Sequence, residues 1–145
     1  MAHAENTVTI ERPASEVYAY LADGLNNKAW RAGVVRIELK SGPAGAVGAV
    51  YRQVLTGPGG RRIDGDYEIT AAVPGKELRF QVVAGPAHPT GVYTLTSAGD
   101  ADGTTVHFVL DLEPKGLMKL MGSMIAKTME SEVAQLSALK AALES

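Results

Sequence analysis

Two tyrosines and one arginine are the side chains whose type and spacing best suit chemistry on a bound molecule. Tyr67 and Tyr93 fall on the apolar faces of alternating segments, and their hydroxyls can orient a carbonyl or hydroxyl group. Arg52 shares a face with Val50, Val54 and Gly65 if residues 57–60 close a tight hairpin. An inward charge is costly unless paired, which makes such an arginine a functional candidate. A one-residue change of loop register would instead turn Tyr51 and Gln53 inward. Asp64 and Asp66 are two apart on a strand and share its outer face, so they read as solvated. Glu132 lies beside the apolar stripe of the last helix, at a flanking position that reaches solvent. Among the histidines, His107 alternates outward and His3 is in the tail. Only His88, in the loop 85–89, falls where a cavity mouth would be. No Ser/His/Asp or Cys/His set is evident, and three scattered histidines do not make a metal site. Gly57-Pro58-Gly59-Gly60 lacks the lysine and following helix of a phosphate loop, so it reads as a turn. The expectation is no metal and no cofactor.

The elements that must position these groups are short strands followed by one long helix. Residues 7–12 alternate with Val8 and Ile10 on one face, and Pro13 then suits a first helical turn. Val17, Tyr18 and Leu21 form the buried stripe of a short helix, broken by Gly24 and Asn26-Asn27. A second short helical piece leads to Trp30. Strands are predicted over 34–40, 49–56, 61–73, 77–84, 90–97 and 104–113. Their inward residues include Ile63, Gly65, Tyr67, Ile69, Ala71 and Val73, then Leu78, Phe80, Val82, Tyr93, Leu95, Val106, Phe108, Leu110 and Leu112. The connections between the later strands are too short for crossover helices, which makes the sheet antiparallel. From 115 to 145 Met118, Met121, Ile125, Met129, Val133, Leu136, Leu139 and Leu143 recur at helical spacing, with no proline. This amphipathic helix is the natural cover for the one apolar sheet face. The fold class is α+β: a curved antiparallel sheet of about seven strands around a long C-terminal helix, with two short helices after the first strand.

Composition narrows the function. With 14 Lys+Arg against 16 Asp+Glu there is no basic excess to suit a nucleic acid. No apolar run reaches the length of a membrane span. The start, MAHAENTVTI, lacks the pattern of a signal peptide, so a soluble cytoplasmic domain covering 1–145 is expected. The chain has no cysteine, which excludes disulfides.

The order of elements resembles the START-like, or SRPBCC, superfamily and its helix-grip fold, and within it the polyketide cyclase/dehydrase and lipid-transport group. The resemblance rests on Val8-Thr9-Ile10-Glu11-Arg12-Pro13-Ala14, on Val17-Tyr18-Ala19-Tyr20-Leu21-Ala22-Asp23 and on Trp30. It continues in Tyr67-Glu68-Ile69-Thr70, Gly103-Thr104-Thr105-Val106 and the last helix, ending Leu139-Lys140-Ala141-Ala142-Leu143-Glu144. It implies a ligand cavity between sheet and helix; it does not imply one chemistry.

Three uses of that cavity and helix follow. The first is binding of a small apolar molecule, lined by Trp30, Tyr67, Phe80, Tyr93, Phe108, Leu117, Met118, Met121, Met124 and Ile125. Methionine adapts to irregular space, and with one tryptophan, five tyrosines and two phenylalanines the interior is expected to be under-filled. The second is a cyclase or dehydratase, with Tyr67 and Tyr93 as proton or hydrogen-bond donors and Arg52 stabilising an enolate. The third uses the apolar start of the last helix as a homodimer contact or membrane-docking patch.

Overall fold

Pro13 organises the beginning of the chain. It follows strand β1 (Ala2–Ile10) and heads helix α1 (Ala14–Ala22), where its missing N–H costs nothing. Its carbonyl accepts from the Glu16 and Val17 amides at 3.0 and 3.1 Å. Val17, Tyr18, Leu21 and Ala22 are the buried face of α1. Asp23 ends the helix, and its carboxylate accepts from the Leu25 amide at 3.1 Å. That contact opens a tight turn (Gly24–Asn26) which runs into the short helix α2 (Asn27–Trp30). The computed structural model describes residues 2–145 apart from 86, 99–101 and 114, and excluding the side chains of Pro58, Leu117, Met118 and Met121.

Seven further strands follow: β2 (Val34–Ser41), β3 (Val50–Thr56), β4 (Arg62–Asp64), β5 (Tyr67–Val73), β6 (Glu77–Val82), β7 (Thr90–Ser97) and β8 (Thr104–Leu112). All pair antiparallel in one sheet, in the order β1-β8-β7-β6-β5-β3-β2, with β4 attached to β3. The helix-grip arrangement expected from the sequence is present, with eight strands.

Residues 61–73 are not one strand. The chain breaks at Gly65-Asp66, between β4 and β5. Gly65 donates its amide to Gln53 O at 2.8 Å, and a Cβ there would run into the Leu55 side chain. The break turns Asp66 inward, contrary to the outer position expected. Its carboxylate is buried and accepts from the Gln53 amide at 3.2 Å. Further along, a register shift between Ile69 and Ala71 brings Ala72 against the core and leaves Val73 exposed, again reversing the simple alternation.

The C-terminal helix begins as a 3₁₀ turn (Gly116–Met121) and continues as α3 (Gly122–Ala134) and α4 (Leu136–Glu144). The break at Gln135 has specific partners. Asn6 on β1 donates its side-chain amide to the Val133 carbonyl at 3.0 Å, and Gln135 Oε1 accepts from the Ala32 amide at 3.1 Å. Asn6 thus enters where the helical ladder is interrupted, and Gln135 at the break turns its own side chain out to the Ala32 backbone. At the far end Lys140 reaches Thr9 O at 2.7 Å, and Glu144 accepts from the Glu11 amide at 2.8 Å, fastening α4 to β1. Met129, Val133, Leu136, Leu139 and Leu143 are buried in one apolar cluster with Ile10, Val17, Val106 and Phe108.

Leu139 is fully buried, whereas Leu120 is 85% exposed. Leu139→Ala is expected to lower the unfolding free energy by about 2–5 kcal/mol. Leu120→Ala should change it by no more than about 0.5 kcal/mol. Urea denaturation measures both, and near-equal effects would contradict this division of the helix.

Candidate functional site

One aromatic side chain from each of five neighbouring strands points to the inside of the sheet. Tyr51 of β3 stacks on Tyr67 of β5, with ring centroids 5.3 Å apart. Tyr67 lies 5.3 Å from Phe80 of β6, and Phe80 lies 6.0 Å from Tyr93 of β7. Tyr93 stacks on Phe108 of β8 at 4.3 Å. Cross-strand register builds this column: Tyr51 is opposite Tyr67, and Tyr93 is opposite Phe108. Phe80 is opposite Gly91, and a Cβ at that glycine would collide with the Phe80 ring. Trp30, at the end of α2, meets Tyr93 edge to face at 6.4 Å.

The register that makes this column also removes Arg52 from the interior. The β3–β4 connection runs from Thr56 to its partner Arg62, one residue longer than a loop of 57–60 would be. The extra residue reverses the parity of β3. Tyr51 and Gln53 are therefore buried, and Arg52 faces out beside Glu38 at 3.7 Å.

A cavity remains where α1 and α2 meet the column. Leu21, Ala22, Asn27, Arg31, Tyr67, Ile69, Leu78, Phe80 and Tyr93 line it. It offers about 10 Å³ to the centre of a water-sized sphere, room for about one water molecule. The expected under-filled interior is thus largely occupied by the aromatic column itself. Of the residues proposed from sequence, Tyr67, Phe80 and Tyr93 line the cavity, while Trp30 and Phe108 pack against Tyr93. Ile125 is partly buried against the core, and Met124 is 47% exposed. Leu117, Met118 and Met121 have side chains outside the described residues.

Two polar groups of the site, Asn27 and Arg31, were not among the candidates from sequence, and a third, Glu132, was expected to reach solvent. Asn27 donates to the Tyr67 hydroxyl at 3.0 Å. Arg31, just after α2, donates from Nε and Nη2 to one oxygen of Glu132 on α3, at 3.2 and 2.5 Å. Their side chains are 8% and 19% exposed, so Glu132 is a half-buried ion-pair partner, not the solvent-reaching residue expected. The signal available in sequence was a carboxylate next to Val133 on an apolar stripe, and an arginine next to a tryptophan anchor. Burial works against the Arg31 charge, but Glu132 outweighs it and raises the guanidinium above its ordinary value. Burial also pushes both Tyr67 and Tyr93 well above the usual phenol range. The Trp30 indole N–H is buried without a partner among the described residues.

The histidines lie elsewhere. His88 is exposed, with Nε2 3.1 Å from the Gly85 carbonyl. His3 belongs to β1 instead of a loose tail and bridges Asp111 and Glu5 at 2.5 and 2.6 Å, on the exposed side of the sheet. Glu5 also reaches His107 at 3.3 Å.

A curved sheet gripping a C-terminal helix, with an inward aromatic column beneath two short helices, defines a START-like helix-grip protein. The sequence profile described as polyketide cyclase / dehydrase and lipid transport matches residues 1–144, and the chain belongs to that family. A START superfamily protein from Mycobacterium smegmatis superposes with TM-score 0.82 at 15% identity, over 99% of this chain and 98% of its own. A Thermus thermophilus protein gives 0.81 at 18% identity, over 98% and 97%. The Zhui aromatase/cyclase from Streptomyces sp. R1128 gives 0.79 at 19% identity, over 98% and 93%. At these identities the likeness is one of fold. No curated protein matches the sequence at a significant level.

The buried phenols make stability pH-dependent in one direction. In the unfolded chain Tyr67 and Tyr93 ionise near the ordinary value of 10.0. In the folded chain they stay protonated beyond it, so stability from this source is complete below pH 10 and declines above it. Phenolate absorbance should show these two tyrosines titrating only as the protein unfolds. Their ionisation near pH 10 in folded protein would contradict the burial described.

Proposed function

We propose that the chain binds one small, flat apolar molecule against the aromatic column, in an enlarged form of the cavity beneath α1 and α2. The observation that carries this is the convergence of Tyr67, Phe80 and Tyr93 on one cavity that Asn27 and Arg31 also line. A largely apolar wall with a few placed polar groups is the usual composition of a small-molecule site.

A cavity with room for one water must open to admit a ligand. The first turns of α3 are the part best suited to move. Gly122 through Thr128 bury no side chain fully, whereas Met129 and Val133 are buried. Lifting that half of the helix, which packs on β1 and β8, would uncover the β8 end of the column without unfolding α4. No helix among the described residues is long and apolar enough to cross a membrane. A subunit contact or a docking surface through the exposed Leu120 and Met124 is a competing use of the same segment.

A catalytic reading is favoured by one further observation: two phenols and a cation face the same cavity. Tyr67 and Tyr93, held protonated, could donate to a ligand carbonyl, and Arg31 could stabilise an enolate. Arg31 takes the role that the sequence suggested for Arg52, which faces outward. The reaction class would be cyclisation or dehydration of a polyketide-like carbonyl compound.

N-phenyl-1-naphthylamine, an uncharged aromatic amine that fluoresces when shielded from water, is a suitable probe. It is expected to bind with a Kd in the micromolar range, roughly 1–100 μM. Ala22→Phe, which places a ring in the cavity, should weaken it at least about tenfold in protein that still melts cooperatively. Absence of binding, or equal binding in Ala22→Phe, would remove the cavity reading. The catalytic reading further requires Tyr67→Phe or Tyr93→Phe to lower turnover of a cyclisable polyketone more than it lowers affinity.

A further inference from the structure

We propose that the preferred ligand is an apolar acid, a ring or chain system carrying one carboxylate, whose anion replaces Glu132 on Arg31. This rests on the cavity reading above and specifies the charge of its occupant.

Of the nine residues that line the cavity, Arg31 is the only charged one. The others are apolar side chains, one amide and two phenols, and those phenols stay protonated. No carboxylate belongs to the lining; the negative charge is supplied from outside it, by Glu132 of α3. Arg31 Nε and Nη2 both point to a single Glu132 oxygen, and Arg31 has no other side-chain partner among the described residues. A guanidinium carries five N–H donors, so this pairing leaves capacity for a second oxygen.

The Arg31–Glu132 pair links the ligand's charge to its binding. Glu132 lies on α3 between the buried Met129 and Val133, and its carboxylate reaches a guanidinium that is 8% exposed. A guest seated against Arg31 displaces this carboxylate, whose side chain turns to solvent from its half-buried position. A buried cation without its partner is strongly unfavourable. A neutral guest would leave that cost unrelieved, whereas a guest with a carboxylate restores the pair in bidentate form. Glu132 thus acts as a stand-in anion in the closed state and as a competitor for the ligand. The apolar column determines that the remainder of the guest is aromatic or aliphatic.

Two probes with the same ring skeleton test this. N-phenyl-1-naphthylamine is neutral, and 8-anilinonaphthalene-1-sulfonate adds one anionic group. The wild-type chain should prefer the sulfonate by about tenfold. Arg31→Met should lower sulfonate affinity at least about tenfold more than amine affinity, and Arg31→Lys should restore part of the preference. Glu132→Gln, which removes the competitor and keeps the shape, should raise the ratio of sulfonate to amine affinity by about tenfold. Equal affinity for the two probes in wild type, or a lower ratio in Glu132→Gln, overturns the proposal. Weakening of both probes in parallel by Arg31→Met and Glu132→Gln would show a purely structural ion pair and also overturns it. If the amine itself fails to bind, the cavity reading fails first, and that result is distinguishable from a lost preference. Thermal melts of each variant establish that the folded protein is being titrated.

Discussion

A sheet this wide cannot be covered by one helix. Seven strands in a continuous path, at roughly 4.8 Å spacing, span about 29 Å. An α-helix with its side chains is about 10–12 Å across. Curvature reduces the mismatch but does not remove it, so the apolar face needs additional cover. The second half of the C-terminal helix seals one part through Val133, Leu136, Leu139 and Leu143. Helices α1 and α2 cover another, through Val17, Tyr18, Leu21 and Trp30. The aromatic column lines the inner face of the sheet, and the small cavity lies where α1 and α2 meet it.

The Arg31–Glu132 pair lies at that junction, with one partner just after α2 and the other on α3. Replacing a buried ion pair with apolar residues is often neutral for stability or better, so stability alone is a weak reason for its presence. Its place beside the cavity that Arg31 lines is a better physical setting for it. The pair holds firmly while Arg31 and Glu132 are together and becomes costly when they separate. This differs from the exposed ion pairs of the outer face, such as Arg52 with Glu38, where solvent screening leaves little at stake.

Most of the fold was legible in the sequence because its elements announce themselves by period. Alternation identified β6, β7 and β8 and their inward residues, and the three-four spacing identified the C-terminal helix. Alternation failed wherever one residue changed the phase. The longer β3–β4 connection reversed Arg52 and Tyr51, and the break at Gly65 turned Asp66 inward. The aromatic half of the site was visible as side chains on inward faces. The polar half was not, because Arg31 and Glu132 are 101 residues apart and no local pattern joins them. The position of Glu132 beside the apolar stripe is legible in the sequence, but its partner is set by the tertiary packing that brings the residue after α2 to α3.

The central claim is that the C-terminal helix has two roles: α4 is core, and the first half of α3 is a cover over the aromatic column. Amide hydrogen exchange followed by mass spectrometry, with and without N-phenyl-1-naphthylamine, tests it most directly. Amides of residues 136–144 should exchange only with global unfolding, while those of 122–128 should exchange at least about tenfold faster and slow when the probe binds. Uniform protection along both segments, or a ligand effect confined to α4, would contradict the division of the helix into core and cover.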